Sequence, residues 1–212
     1  MEIVWYGHAC FRLRGKEGSV VTDPYDKTIG YHLPRLSANV VTVSHDHPGH
    51  SYVRGVRGHP KIIAGPGEYE VKGIFIFGIP AFHDRKQGKQ RGRNTVYLFE
   101  FEDLTICHLG DLGHVPAQPQ VEALSDIDVL LIPVGALHTL NASMAAEVIN
   151  LLEPRIVVPM HYKTDVVKAR LAPLRKFLKE MGLKRVKPRE SLKIRKGSLP
   201  EETQVVVLEY RQ

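Results

Sequence analysis

The chain has 212 residues, 43% of them hydrophobic, and carries 29 Lys and Arg against 23 Asp and Glu for a net charge of +6. That apolar content can offset the entropy of ordering a core, which excludes disordered, collagen-like and low-complexity classes, while the charge favours attraction to anions without fixing a fold. No apolar run approaches the ~18 residues of a membrane span, and the opening segment lacks a basic stretch followed by an apolar one, so a cytoplasmic protein forming one domain over 1–212 is expected.

In chain order, β-prone runs over 3–6, 10–14 and 19–22, separated by glycine-containing breaks, predict a strand meander. Further strands are expected over 39–44, 61–64, 74–79, 95–101 and 104–107, with Glu102-Asp103 as a tight turn between the last two. Between them, 84–94 reads DRKQGKQRGRN, a loop without an apolar side chain that either stays solvated or folds over a substrate as an anion-binding flap. From Asp128 the texture changes to a strand over 129–133, a helix over 143–152 opening after Asn141, and a strand over 155–159, which is a β-α-β unit. A second helix over 166–181, kinked or broken at Pro173 and ending at Gly182, precedes a terminal strand over 204–210. Cys10 and Cys107 sit inside apolar runs and are too few for a disulfide framework, so buried reduced thiols are expected. The alternation favours an α/β architecture with sheets inside and helices outside.

The chemistry concentrates in Ser44-His45-Asp46-His47-Pro48-Gly49-His50, three imidazoles in six residues at the end of a strand, where Pro48-Gly49 encourages the turn that lets His45 and His47 converge on one ion. A zinc-type site needs about four N, O or S donors. His83, Asp111 and His161 are each the first ionisable group after a buried-looking strand, the place where α/β folds gather ligands. Asp46 lies between two of the histidines and reads as a loop-stabilising or solvent-facing residue. His32, His59, His108 and His114 have no partner legible in the sequence.

The triplet resembles the H-x-H-x-D-H signature of the metallo-β-lactamase superfamily, and the order triplet, lone His, Gly-Asp, lone His is similar to that superfamily's ligand order. Gly7-His8-Ala9, Thr22-Asp23-Pro24, Pro133-Val134-Gly135 and Val158-Pro159-Met160-His161-Tyr162 resemble its small hydrolase branch related to L-ascorbate-6-phosphate lactonase and, more distantly, to N-acyl-phosphatidylethanolamine phospholipase D. The resemblance spans 3 to about 163 and implies an αββα four-layer sandwich, two mixed sheets face to face with helices outside and a metal site along one edge. Carried over residue by residue, it implies His45, His47 and His83 as ligands of a first divalent ion, Asp111 as a bridging and catalytic carboxylate, and His50 and His161 as ligands of a second. It also implies Asp23 as the buried carboxylate that supports the ligand loop. His8, at the end of the first strand, is expected to support the ligands or touch substrate.

One departure stands out: the signature's aspartate is Gly49 here, which removes an anionic ligand from the second site and leaves one or two ions open. Zinc leads among metals that suit the set, with manganese, iron or nickel compatible. Such an ion lowers the pKa of its water toward ~7 and polarises an ester, lactone or phosphodiester oxygen, so metal-assisted hydrolysis of a small molecule is the expected chemistry. No GxSxG elbow is present, and Cys107-His108 would face opposite sides of a strand. His138, in the 135–141 turn, is expected to bind a leaving-group oxygen, act as general acid, or lie idle at the surface. Arg85, Lys86, Lys89, Arg91 and Arg93 follow His83 and favour an anionic substrate. Two further classes compete: a nucleic-acid phosphodiesterase, disfavoured because the basic residues form one loop without interleaved aromatics, and a metal-binding protein without turnover, motivated by Gly49. A homo-oligomer is compatible with the sequence.

Overall fold

The computed structural model describes residues 1–212. Its strands are β1 (Glu2–Trp5), β2 (Phe11–Arg14), β3 (Ser19–Thr22), β4 (Leu36–Ser37), β5 (Val40–Thr42), β6 (Val56–Arg57), β7 (Lys61–Ile63), β8 (Gly67–Val71), β9 (Ile74–Phe82), β10 (Arg93–Phe101), β11 (Leu104–His108), β12 (Val129–Pro133), β13 (Ile156–Met160), β14 (Leu192–Lys193) and β15 (Gln204–Val205). The helices are α1 (Gln118–Ala123), α2 (Ala142–Leu152) and α3 (Leu174–Glu180). One sheet runs β14-β1-β2-β3-β5-β7, the other β15-β13-β12-β11-β10-β9-β8, and β4 pairs with β6 in a small third.

Local chemistry explains the longest pairings. Glu102 and Asp103 both take positive φ, 55° and 60°, the left-handed pair whose twist matches a two-residue hairpin, and this sets Phe101 opposite Leu104. Every residue of β12 and β13 is buried, as expected of central parallel strands covered on both faces. Helix α2 starts where Asn141 Oδ1 accepts from the Met144 N–H at 2.9 Å, and it buries Ala145, Val148, Ile149 and Leu152, one stripe at helical spacing. In the first sheet alternate residues part company: Ile3, Trp5, Val20 and Val40 join the core shared with the second sheet, whereas Val4, Val21 and Val41 face a smaller core on the outside.

Mixed sheets with a shared core and a helical outer layer match the expected sandwich, with one difference of detail. The layer over the first sheet is not α-helical; it is made of short 3-10 turns at Lys27–Ile29 and Val53–Gly55, the β4-β6 pair, and the segment carrying Val167 and Leu171. That segment corrects the second predicted helix, which begins only after Pro173, as α3. Proline disfavours helix in the residue before it. The preceding N–H groups go elsewhere, Lys168 to the Ile29 carbonyl and Ala172 to the Gly135 carbonyl, while Val167 and Leu171 are drawn into the outer core. The terminal strand is likewise shorter: only Gln204–Val205 pairs as a ladder, and Leu208 makes an isolated bridge to Arg189. Both cysteines are free and buried, as expected. No helix is long and apolar enough to cross a membrane.

The pairing directions place the site. Strands β1, β3 and β5 run the same way in the first sheet, as do β9, β11 and β13 in the second. The segments leaving the C-terminal ends of these six strands carry His8, Asp23, the 44–50 loop, His83, Asp111 and His161. Strand ends of this kind are where open α/β sheets present their ligands.

Candidate metal centre

Seven side chains from both sheets, six histidines and Asp111, meet at this rim. The Asp111 carboxylate lies among three imidazoles, 3.3 Å from His50 Nε2, 3.3 Å from His83 Nε2 and 3.4 Å from His161 Nε2. Around an ion with donors at ~2.0–2.1 Å, the edge of a coordination tetrahedron is about 3.3–3.4 Å, so this spacing suits donors sharing a cation. His50 Nε2 and Asp111 Oδ1 are buried without a hydrogen-bond partner, a costly state unless something else satisfies them. Three triads offer one donor atom each within 4.8 Å of one another: His45, His47 and His50; His45, His83 and Asp111; His8, His50 and His161. The trio expected at the first ion, His45, His47 and His83, is thus divided between two of them, with His45 common to both. This donor set of imidazoles and one carboxylate, with orphaned atoms at its centre, fits a divalent transition ion.

The charge states suit ligation. Burial and the neighbouring imidazoles lower the pKa of His8 and His161 and bring His45 to about 4, so these rings are neutral and their lone pairs free. Burial opposes ionisation of Asp111, but His161 and His50 outweigh it and hold the carboxyl well below the usual range. His50 is the exception. Burial alone would lower its pKa, yet Asp111 and Asp23 on either side push it up to about 10.

Behind the ligands lies a supporting layer. Asp23 is fully buried and accepts from Ser44 N–H at 2.7 Å, Ser44 Oγ at 2.6 Å and His50 Nδ1 at 2.8 Å. The last bond turns Nε2 of His50 toward Asp111. His83 Nδ1 donates to the His138 carbonyl at 3.3 Å. His8, Asp23 and His161 all hold positive φ, between 39° and 52°, conformations that cost energy outside glycine and gather at functional sites. The close approach of the chain here needs Gly135, where a Cβ would lie 1.9 Å from the His161 carbonyl oxygen.

Other expected residues lie further out. Asp46 is exposed, accepts from Ser51 Oγ at 3.0 Å and joins none of the triads. His138 faces the cavity described below, where its Nε2 accepts from the Arg91 guanidinium at 2.6 Å. Burial and the Arg91 guanidinium lower its pKa. Of the five basic residues only Arg91 lines that cavity; Arg85 reaches Met144 Sδ, and Lys86, Lys89 and Arg93 are exposed elsewhere. His108 is a structural link that donates from Nε2 to the Ala9 carbonyl at 2.9 Å. His114 packs beside Phe82, and His32 and His59 are exposed.

Three contributors escaped the sequence. Asp84 organises the basic loop, its carboxylate accepting from the N–H groups of Lys86, Gly88, Gln90 and Arg91 at 2.7–3.0 Å. Burial raises its pKa, but those four donors outweigh it and hold it down. An aspartate next to a ligand histidine at the head of a glycine-rich loop is a signal of that role. Ser44 was visible only as a neighbour of the triplet, and Lys168 carried no signal because its place depends on the misread helix.

The site opens into a cavity of about 380 Å3 whose lining includes Ile29, Val167, Leu171, Leu137 and His138, with Arg91 and Lys168 among its charged residues. A larger hollow of about 830 Å3 lies elsewhere, around Asp128 and Lys196. Its buried carboxylate is already paired to Lys196 Nζ at 2.8 Å and its lining holds no His or Cys, so the chemistry belongs to the smaller cavity.

Comparison with known proteins agrees with this geometry. The family described as the beta-lactamase superfamily domain matches residues 2–161. A UPF0173 protein of Pyrococcus abyssi is 29% identical over 187 residues, 77% of this chain and 84% of its own, and a UPF0173 metal-dependent hydrolase of Thermoplasma acidophilum is 28% identical over 196 residues, 80% and 87% of the two chains. Among solved structures, a Thermotoga maritima protein described as a zinc-dependent hydrolase of the metallo-β-lactamase superfamily superposes with a TM-score of 0.82 at 40% identity, covering 99% of both chains.

Proposed function

Because the chain belongs to the metallo-β-lactamase superfamily and is a metal-dependent hydrolase, we propose that it hydrolyses a small anionic ester, lactone or phosphodiester in the cavity beside Asp111. In this reading His45, His47 and His83 with Asp111 hold one ion, and His50 and His161 with Asp111 serve a second, zinc being the first choice and manganese, iron or nickel compatible. A bound ion supplies water activated at neutral pH and a Lewis acid for the carbonyl or phosphoryl oxygen.

The chain's own residues do the rest. Asp23 fixes the His50 tautomer, and the apolar side chains of Ile29, Val167 and Leu171 in the cavity lining limit the access of bulk water. Arg91, braced by His138 and by the turn around Asp84, and Lys168, which lines the same cavity, hold the anionic group. What carries the reading is this pair of cations in a cavity that also reaches Asp111 and five of the rim histidines.

Kinetics on an anionic and a neutral substrate test it. Arg91→Ser with Lys168→Ser should raise KM for bis(p-nitrophenyl) phosphate by roughly 10–100-fold, the scale of one or two charge-assisted hydrogen bonds, and leave p-nitrophenyl acetate turnover and metal content unchanged. An unchanged KM for the phosphodiester would contradict the assignment of substrate charge.

A further inference from the structure

We propose that His8 replaces the carboxylate missing at position 49 and completes a second ion site with His50 and His161; this rests on the metal-dependent reading of the rim. The first observation is steric. A Cβ built on Gly49 would lie 3.0 Å from His8 Nε2 and 3.2 Å from His47 Nδ1, so the His8 ring edge occupies the space into which a side chain at 49 would project. Gly49 does not adopt positive φ, so its backbone has no need of glycine. The His8 ring makes the nearest approach to that position, with His47 beside it.

The second observation is chemical. His8, His50 and His161 are buried, and one nitrogen from each lies within 4.8 Å of the others, the His8 ring being 4.1 Å from that of His161 and 4.8 Å from that of His50. A structural histidine at such depth spends a nitrogen on the protein, as His108 does on the Ala9 carbonyl. His8 differs: its Nδ1 is buried with no partner, and its Nε2 faces the space above Gly49. The backbone holds it there, because the His8 carbonyl accepts from both Trp5 Nε1 and the His161 N–H at 3.1 Å while His8 itself takes a φ of 52°. Packing alone gives no account of a strained, doubly anchored imidazole left unpaired beside two other rings.

Exchanging a carboxylate for a neutral imidazole makes this site one unit more positive and its donors softer. That shifts preference from manganese toward zinc, cobalt or nickel.

The exchange can be run in reverse. His8→Asn keeps a residue that tolerates the left-handed conformation and removes the imidazole, and Gly49→Asp then has room for its side chain. Equilibrium dialysis against zinc followed by elemental analysis should find two ions in the unsubstituted protein, one in His8→Asn with the weaker Kd at least about 100-fold worse, and two again in His8→Asn/Gly49→Asp, since even losing a group behind a ligand costs 10–100-fold. The double variant should also bind manganese better relative to zinc than the unsubstituted protein. Two ions in His8→Asn with unchanged Kd, or a single ion in the unsubstituted protein, would overturn the role of His8 while leaving the metal centre intact. No ion in the unsubstituted protein would overturn the metal reading and this inference together. If His8→Asn fails to fold by circular dichroism, 15N-histidine spectra of the unsubstituted protein decide: zinc should shift a nitrogen of His8 as well as those of the other five rim histidines, and an unmoved His8 overturns the proposal.

Discussion

At the scale of single residues, Asp23 has the most to do for its size. It does not line the cavity beside Asp111, yet its two oxygens take three hydrogen bonds and decide which nitrogen of His50 carries the proton. Asp23→Asn should keep its carbonyl oxygen on the Ser44 N–H, since the reversed amide would set two donors face to face. The NH2 group then meets His50 Nδ1, which must accept, and the proton moves to Nε2, where it blocks ligation. The predicted result is a folded protein whose metal affinity falls by at least 10–100-fold, the cost found when the partner behind a ligand histidine is lost. Calorimetric titration with zinc measures it, and an unaltered Kd would contradict the tautomer argument. His83, Asp111 and His161 were legible because each follows an apolar run, and His45, His47 and His50 because three imidazoles crowd one strand end; the geometry of His8 was not, because it arises only where β1 and the 44–50 loop meet in space.

Among the elements, the long buried strands announced themselves through continuous apolar runs, and α2 through Asn141 and its stripe. The two-residue strands β4, β6 and β14 have no period to read, and β8, with exposed Glu68 and Glu70 on a sheet edge, reads as a polar connection. The helix predicted over 166–181 failed for a different reason: Val167 and Leu171 fit a helical stripe, but the outer core of the first sheet claims them. That error concealed Lys168. Helix α2 also separates stability from function. Asn141→Ala removes the acceptor for the Met144 N–H and should cost about 1 kcal/mol in urea denaturation. Metal content should not change, because α2 carries none of the rim residues; a variant that lost metal along with stability would show that α2 and the rim are coupled.

For the whole molecule, the rim joins two sheets that otherwise meet through their apolar faces. The first sheet contributes His8, Asp23 and the 44–50 loop, the second His83, Asp111 and His161, so an ion bound between them links the two across the edge of the sandwich. Binding to the folded state alone stabilises it by about 4 kcal/mol at a thousandfold excess over Kd, equivalent to roughly 8–16 °C in Tm for a chain of this size. Thermal denaturation before and after chelation should show that loss, with the far-ultraviolet spectrum of the native baseline retained because the shared apolar core does not depend on the ion. A Tm indifferent to both chelator and added zinc would count against a cross-sheet link.

The most direct measurement is anomalous diffraction at the zinc edge from crystals of the zinc-loaded protein. The account predicts strong peaks at the rim, one between His45, His83 and Asp111 and one between His8, His50 and His161. A rim without anomalous signal, or zinc bound only at sites away from Asp111, would contradict it.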